Sequence, residues 1–268
     1  MTDLQQLQAL LAAVTQHFDC GPSSFSRRIA CSASYLLEKG LGSVSNVYAR
    51  DGTLTHACSE ALILLGIDPD SLVGQEVQVE GHTHVITDKI AKAAHFYVDA
   101  IHKLRRPGDV QFIEQWVDLS WIHPLIGGGS VDCGLSNMRQ KLIQVCDLKA
   151  GTSPVKPDSV QFMLYALGML GEHNELGYRR AELTVIQPND KRKTIPKVRT
   201  HPISVSELYR WADKVARPTC ERCLDPAEKP VKGKQCYFCK AKGNTCPLHE
   251  VYVPDDGKYF PIIRKKKA

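Results

Sequence analysis

The sequence predicts an α/β fold: a mixed sheet flanked by helices, with an N-terminal helical region and a C-terminal Cys-rich element. Three observations support this. Apolar residues recur at helical spacing through the first hundred positions. After the breaker Arg105-Arg106-Pro107-Gly108, β-prone runs alternate with helical ones. Beyond residue 219, Cys, Lys, Gly and Pro dominate and leave little apolar surface for an independent core. The expected organisation is a main domain over 1–219, with helices to 106 and a core over 107–219, followed by a metal-binding element and basic tail over 220–268.

The elements follow in order. Leu4, Leu7, Leu10, Leu11 and Val14 predict a helix within Thr2 to Phe18, and further helices are expected over Ser32 to Leu41, Thr53 to Leu65 and Thr87 to Leu104. Strands are expected at 110–119, 130–136 and 141–149, where β-branched and apolar residues concentrate between turn-compatible ones. Asp158 can cap a helix from Ser159 to Leu170, which Gly171 ends. A strand from Ala181 to Gln187 stops at Pro188, and a helix from Ser204 to Ala216 stops before Pro218.

With 268 residues, 24% charged and 43% hydrophobic, the chain can bury a sizeable core without a disulfide scaffold, so wholesale disorder is excluded. Neither a signal-peptide core nor a bilayer-spanning run is apparent, which predicts a cytoplasmic protein and no membrane partner. In that reducing compartment, ten cysteines point to metal rather than disulfides. Of the net charge of +5, the tail Arg264, Lys265, Lys266 and Lys267 supplies four, leaving +1 for the rest. Local patches therefore matter more than the sum; Lys191, Arg192, Lys193, Lys197 and Arg199 form one, readable as a phosphate contact or a solvated loop.

The segment 127–151 carries the most chemistry. Asp132 lies on one β-prone run and Asp147 with Lys149 on the next; strand alternation puts Asp147 and Lys149 on one face. If the runs pair as a hairpin, the two carboxylates approach and repel unless a cation sits between them, and Mg²⁺ or Mn²⁺ suits such oxygen ligands. Such an ion with a nearby lysine points to hydrolysis of a phosphodiester. Gln161 and Tyr165 share a helical face; they also fit a capping box with Asp158 and an ordinary core aromatic. Gly127 to Ser130 lacks the lysine of a P-loop and is expected to be a tight turn bringing backbone to the metal site. His82, His84, His95, His102 and His123 suggest no single site by their spacing.

Gly128-Gly129 with Asp132, then Asp147-Leu148-Lys149, then Gln161 and Tyr165 resemble the RecB-like branch of the PD-(D/E)XK nucleases, over roughly residues 31 to 249. The resemblance implies a restriction-endonuclease-like core. It also implies that His56, on an upstream helix with Glu60 one turn later, would bind the metal with Asp132, Asp147 and the Leu148 backbone carbonyl. Lys149 would be the catalytic lysine, while Gln161 and Tyr165 would position DNA or brace the site.

The cysteines admit two readings. Cys220-x-x-Cys223 with Cys236-x-x-Cys239 has the count and approximate spacing of a tetrahedral Zn²⁺ ribbon. The resemblance extends to AddB-type and CRISPR-associated exonucleases, which implies that Cys31, Cys236, Cys239 and Cys246 hold a [4Fe-4S] cluster joining the two ends of the domain. Iron–sulfur is the preferred reading and zinc the alternative; Cys20, Cys58, Cys133 and Cys146 are expected to be buried small hydrophobes.

The expected function is thus a Mg²⁺- or Mn²⁺-dependent deoxyribonuclease, most simply an exonuclease acting on single-stranded DNA or free ends. Resemblance to phage and prophage members implies a role in recombination in the host-cell cytoplasm, beside a recombinase or annealing protein. The alternative is a non-catalytic nucleic-acid- or protein-binding module carrying a zinc ribbon on a nuclease-like fold.

Overall fold

The structure is a computed structural model describing residues 1–12, 18–42 and 47–249. Its helices and strands in chain order are α1 (Asp3–Ala12), α2 (Pro22–Ala30), α3 (Ser34–Glu38), α4 (Val47–Leu65), β1 (Glu76–Val79), β2 (His82–Val85), α5 (Asp88–Leu104), β3 (Val110–Asp118) and β4 (Gly128–Asn137). They continue with β5 (Leu142–Leu148), α6 (Val160–Leu170), β6 (Arg180–Ile186), β7 (Val198–Ser204), α7 (Val205–Trp211) and α8 (Arg217–Leu224).

Five strands form one sheet in the order β3-β4-β5-β6-β7, and β1 pairs with β2 in a separate hairpin. Within the large sheet β5 and β6 run parallel while the other neighbours are antiparallel. The parallel pair requires a crossover, which α6 supplies. The predicted α/β class with a mixed, helix-flanked sheet is therefore present. As the middle strand, β5 is buried at every residue, Gln144 and Asp147 included. Gln144 is satisfied by Thr184 at 2.9 Å and by Arg106 at 3.3 Å.

Helices cover both faces of the sheet. On one side α6 brings Phe162, Leu164, Leu167 and Leu170 into the main core with Val145, Leu183 and Val185. On the other, Tyr97 and Ile101 of α5 pack with Cys133, Leu135, Cys146 and Leu148. A third cluster joins α1, α4 and the β1–β2 hairpin. Of the four cysteines expected as small hydrophobes, Cys20, Cys58, Cys133 and Cys146, all are buried.

Several boundaries differ from expectation for identifiable reasons. Helix α4 starts at Val47 rather than Thr53 because Gly52 is tolerated inside it. The cap of α6 is Ser159, without a side-chain cap bond, so no Asp158–Gln161 capping box forms and Gln161 is free to act elsewhere. Pro218 does not end the helix that begins at Val205. A π-helical turn over Ala212–Ala216 intervenes, and Pro218 falls in the first turn of α8, where a missing N–H is harmless. That helix crosses the expected boundary at 219/220 and buries Cys220 and Cys223 in the main core. Helix α2, the β1–β2 hairpin and β7 were not expected; β7 contains Pro202 yet tolerates it as an edge strand. Residues 13–17 of the first predicted helix and the tail Arg264 to Lys267 lie outside the described residues.

Because Phe162 is fully buried between α6 and the sheet, Phe162→Ala is expected to lower unfolding free energy by about 3–5 kcal/mol. Urea titration measures this, and a loss below about 1 kcal/mol would show that α6 is not anchored there.

Candidate metal centre

Strands β4 and β5 pair only as far as Cys133 opposite Cys146. The next opposed residues are Asp132 and Asp147, where the ladder has ended. There the Leu148 N–H, no longer part of the β4–β5 ladder, donates to Asp132 Oδ2 at 2.7 Å. Neighbouring strand β3 contributes Glu114, which lies between the Ile113–Cys133 and Gln115–Val131 pairs and adopts a left-handed φ of 46°. A non-glycine residue in that region is strained, and here the backbone turn accompanies a carboxylate directed at the site. From α4, His56 Nδ1 reaches 3.3 Å from Asp132 Oδ2 and 4.0 Å from Glu114 Oε1. One nitrogen and two carboxylate oxygens thus lie within 4.8 Å of one another, a donor set that fits a divalent cation.

Asp147 stands beside this trio but is engaged differently from expectation. Its Oδ2 is 2.7 Å from Lys149 Nζ, and the carboxyl is 1% exposed. Lys149 also donates to Gln161 Oε1 at 3.0 Å, and Gln161 Nε2 donates to Tyr165 Oη at 3.2 Å. These residues therefore form one chain, Asp147 to Lys149 to Gln161 to Tyr165, alongside the metal-type group. Of the predicted set His56, Asp132, Asp147 and Leu148, the structure brings His56 and Asp132 together and adds Glu114, with Asp147 and Leu148 beside them. A backbone hydrogen bond links Leu148 to the His56 imidazole.

Electrostatics follow from this crowding. Burial pushes Asp132 and Asp147 up to about 6, opposed in both cases by Lys149. Glu114 is pushed up to about 9 by burial and then by the charges of Asp132, Glu60 and Asp147. Burial lowers His56 to about 4, which leaves the imidazole neutral, the form that binds metal. Lys149 is disfavoured by burial, but Asp147 and Asp132 more than offset this and hold it as an ammonium. Tyr165 is pushed up by burial and then by Asp147, so its phenol stays protonated.

Sequence reasoning missed Glu114, whose only signal is a carboxylate interrupting the apolar pattern of VQFIEQWV. The glycines also play another part than expected. Gly127 has φ +65° and a Cβ there would lie 2.3 Å from the Phe18 ring, so this turn accommodates Phe18 rather than a metal. Gly129 packs so closely that a Cβ would fall 3.1 Å from Tyr165. The basic patch is largely committed to structure. Arg192 holds the buried Asp190 at 2.5 Å, Lys197 donates to the Asp190 carbonyl, and Arg199 donates to Gln187 at 2.9 Å. Of the remaining histidines, His84 pairs with Asp51 at 2.7 Å, while His95 joins Asp68 and Asp70 in an exposed second group.

The cysteine-rich segment folds back onto α2 and α3. Glu38 anchors it: the carboxylate takes 2.8 Å contacts from Arg27 and Arg28 and accepts the Lys240 N–H at 2.8 Å. Burial opposes the charge of Glu38, but Arg28 and Arg27 hold it below its ordinary value. Cys31, at the end of α2, accepts the Val231 N–H at 3.3 Å, while Cys236 Sγ lies 3.9 Å from the carbonyl of the same residue. Cys239 packs against Glu38, and Cys246 is buried in the same short segment. Of the cysteines in the zinc alternative, Cys220 and Cys223 are fully buried in the main core, where Cys223 is hydrogen-bonded to Cys20, while Cys236 and Cys239 are half-buried. Tetrahedral zinc thiolates stand about 3.8 Å apart. Among the described residues no group of three cysteines meets even 4.8 Å.

Fold and site together define an α/β protein with a His–Glu–Asp group able to hold a metal, set at the splayed end of a mixed sheet beside a buried Asp–Lys pair. The chain belongs to the family described as "Protein of unknown function (DUF2800)", which it matches over residues 17–253. No solved structure matches it. Among the described residues no helix is long and apolar enough to cross a membrane.

Carboxylates raised above their ordinary range compete for protons, so cation binding displaces protons from Asp132, Asp147 and Glu114. Mn²⁺ affinity is therefore expected to increase as pH rises through about 6 and on toward about 9, with net proton release. Calorimetry in buffers of different ionisation enthalpy measures both, and pH-independent binding without proton release would contradict this site.

Proposed function

We propose that this protein is a Mg²⁺- or Mn²⁺-dependent deoxyribonuclease, an exonuclease in preference to an endonuclease. One observation carries the reading: His56, Glu114 and Asp132, from three separate elements, gather their donor atoms within 4.8 Å beside the Asp147–Lys149 pair. A structural ion pair would explain Asp147 with Lys149 alone, but not the further acids and the neutral imidazole around them. A cation held by His56, Glu114 and Asp132 would lower the pKa of a bound water and offset phosphate charge. The chain's own groups do the rest. Lys149, kept protonated by Asp147 and Asp132, is suited to stabilise negative charge on a phosphate oxygen rather than to take a proton. Gln161 and Tyr165 fix the direction of its ammonium.

Lys149→Ala and Asp132→Ala are each expected to reduce Mn²⁺-dependent degradation of linear DNA by at least about 100-fold, with the circular dichroism spectrum retained. A closed circle should resist the wild-type protein. Undiminished degradation by both variants would remove the catalytic assignment, and cleavage of the circle would make the enzyme an endonuclease.

We favour a [4Fe-4S] cluster on Cys31, Cys236, Cys239 and Cys246, a reading supported by the approach of Cys31 and Cys236 to Val231; zinc on Cys220, Cys223, Cys236 and Cys239 is the alternative. Anaerobically purified protein is expected to hold about four irons per chain and to lose them on Cys31→Ser. One zinc without iron would overturn this ligand set. The DNA reading also places the protein with recombination or DNA-processing partners such as a recombinase or annealing protein.

A further inference from the structure

The cysteine-rich segment carries a feature that metal binding does not use. Tyr237 and Phe238 are each 77% exposed, and their rings meet edge to face with centroids 4.6 Å apart. Aromatic side chains ordinarily bury most of their surface, so two adjacent rings left in solvent mark a contact surface. Their backbone is not loose: the Phe238 carbonyl accepts from Arg27, and two residues later Lys240 is tied to Glu38.

The stretch that carries the rings is basic. Residues 229–249 contain five lysines and no Asp or Glu. Lys232, Lys234, Lys240 and Lys242 are all exposed. His249 is lowered by burial and then by Lys232 and Lys242, which places those two lysines on a common side. This patch is also linked to the metal centre through α2. Pro22, at one end of that helix, packs against Gly129 next to Tyr165, while Arg27 holds Phe238. Those two positions are five residues apart on the helix, a rise of about 7.5 Å.

We propose that Tyr237 and Phe238, framed by Lys232, Lys234, Lys240 and Lys242, form a stacking platform for single-stranded DNA on its way to the metal centre. The inference rests on the nuclease reading for its direction toward that centre. Exposed ring faces match unstacked bases, which duplex DNA does not offer, and the lysines match the backbone charge. An acidic protein would satisfy the lysines but would leave the ring faces without a matching partner.

Fluorescence anisotropy with a labelled oligothymidylate tests this on the full chain as purified, in EDTA so that no cleavage occurs. The Tyr237→Ala/Phe238→Ala variant is expected to bind at least tenfold more weakly, and Tyr237→Trp/Phe238→Trp to retain binding. Replacing Lys232 and Lys242 by Gln should lower the slope of log K against log salt by about 1.4. Both aromatic sites are exposed, so an unchanged melting temperature and circular dichroism spectrum verify the fold of each variant. An unchanged Kd for the double alanine variant overturns the platform. So does competition by polyglutamate equal to that of the oligonucleotide and indifferent to the aromatic substitutions. Ring-dependent binding by a protein that degrades no DNA with Mn²⁺ would uphold the platform and remove the nuclease reading alone.

Discussion

The structure turns on the forced proximity of like charges. Asp132, Asp147 and Glu114 come from three adjacent strands and meet where the β4–β5 ladder has ended. Main-chain pairing on either side of that point holds them there, so mutual repulsion cannot separate them. Burial favours the protonated form of all three carboxyls, and neighbouring carboxylates add to this at Asp147 and Glu114, which is why they sit above their ordinary range. A divalent cation relieves the repulsion further. The Lys149 ammonium pairs directly with Asp147 and acts on Asp132 through its charge, while the His56, Glu114 and Asp132 donors converge beside it.

The sheet alone would not complete the site. His56 arrives from α4, whose own support is the packing of α1, the β1–β2 hairpin and α5 into a satellite core. Gln161 arrives from α6, the crossover that the parallel β5–β6 pair demands. Helix α2 then connects two regions that chemistry would otherwise keep apart. Its first turn abuts Gly129 beside Tyr165, and its last turn supplies the two arginines that fix Glu38. Through Glu38 the cysteine-rich segment is docked against the main domain, and the exposed rings of Tyr237 and Phe238 inherit that fixed position. The same helix thus relates the thiols, the aromatic surface and the metal centre.

Some of this was legible before any tertiary structure. The helix of α5 is announced by Thr87 and by Arg105-Arg106-Pro107-Gly108, and the observed Thr87 cap at 3.4 Å from the Ile90 N–H agrees. Strand alternation foretold the shared face of Asp147 and Lys149. Other elements carried no such mark. Helix α2 (PSSFSRRIA) buries Arg28, a residue that periodicity arguments assign to solvent, because Asp19, Ser34 and Glu38 satisfy its guanidinium. The short β1–β2 hairpin and Pro202-bearing β7 fall below what local composition can distinguish from loop.

The α/β class, the main strands, the pairing of an acid with Lys149 and the cysteine-rich character of the last segment are all readable from the order of residues. These depend on local spacing and composition, which a chain carries in any conformation. Only the folded chain brings Glu114 to His56 and Asp132 and carries Cys220 and Cys223 into the main core. The physical reason is register: which strand lies beside which, and where their pairing stops, is set by the burial of whole faces and leaves no signature at the residue concerned.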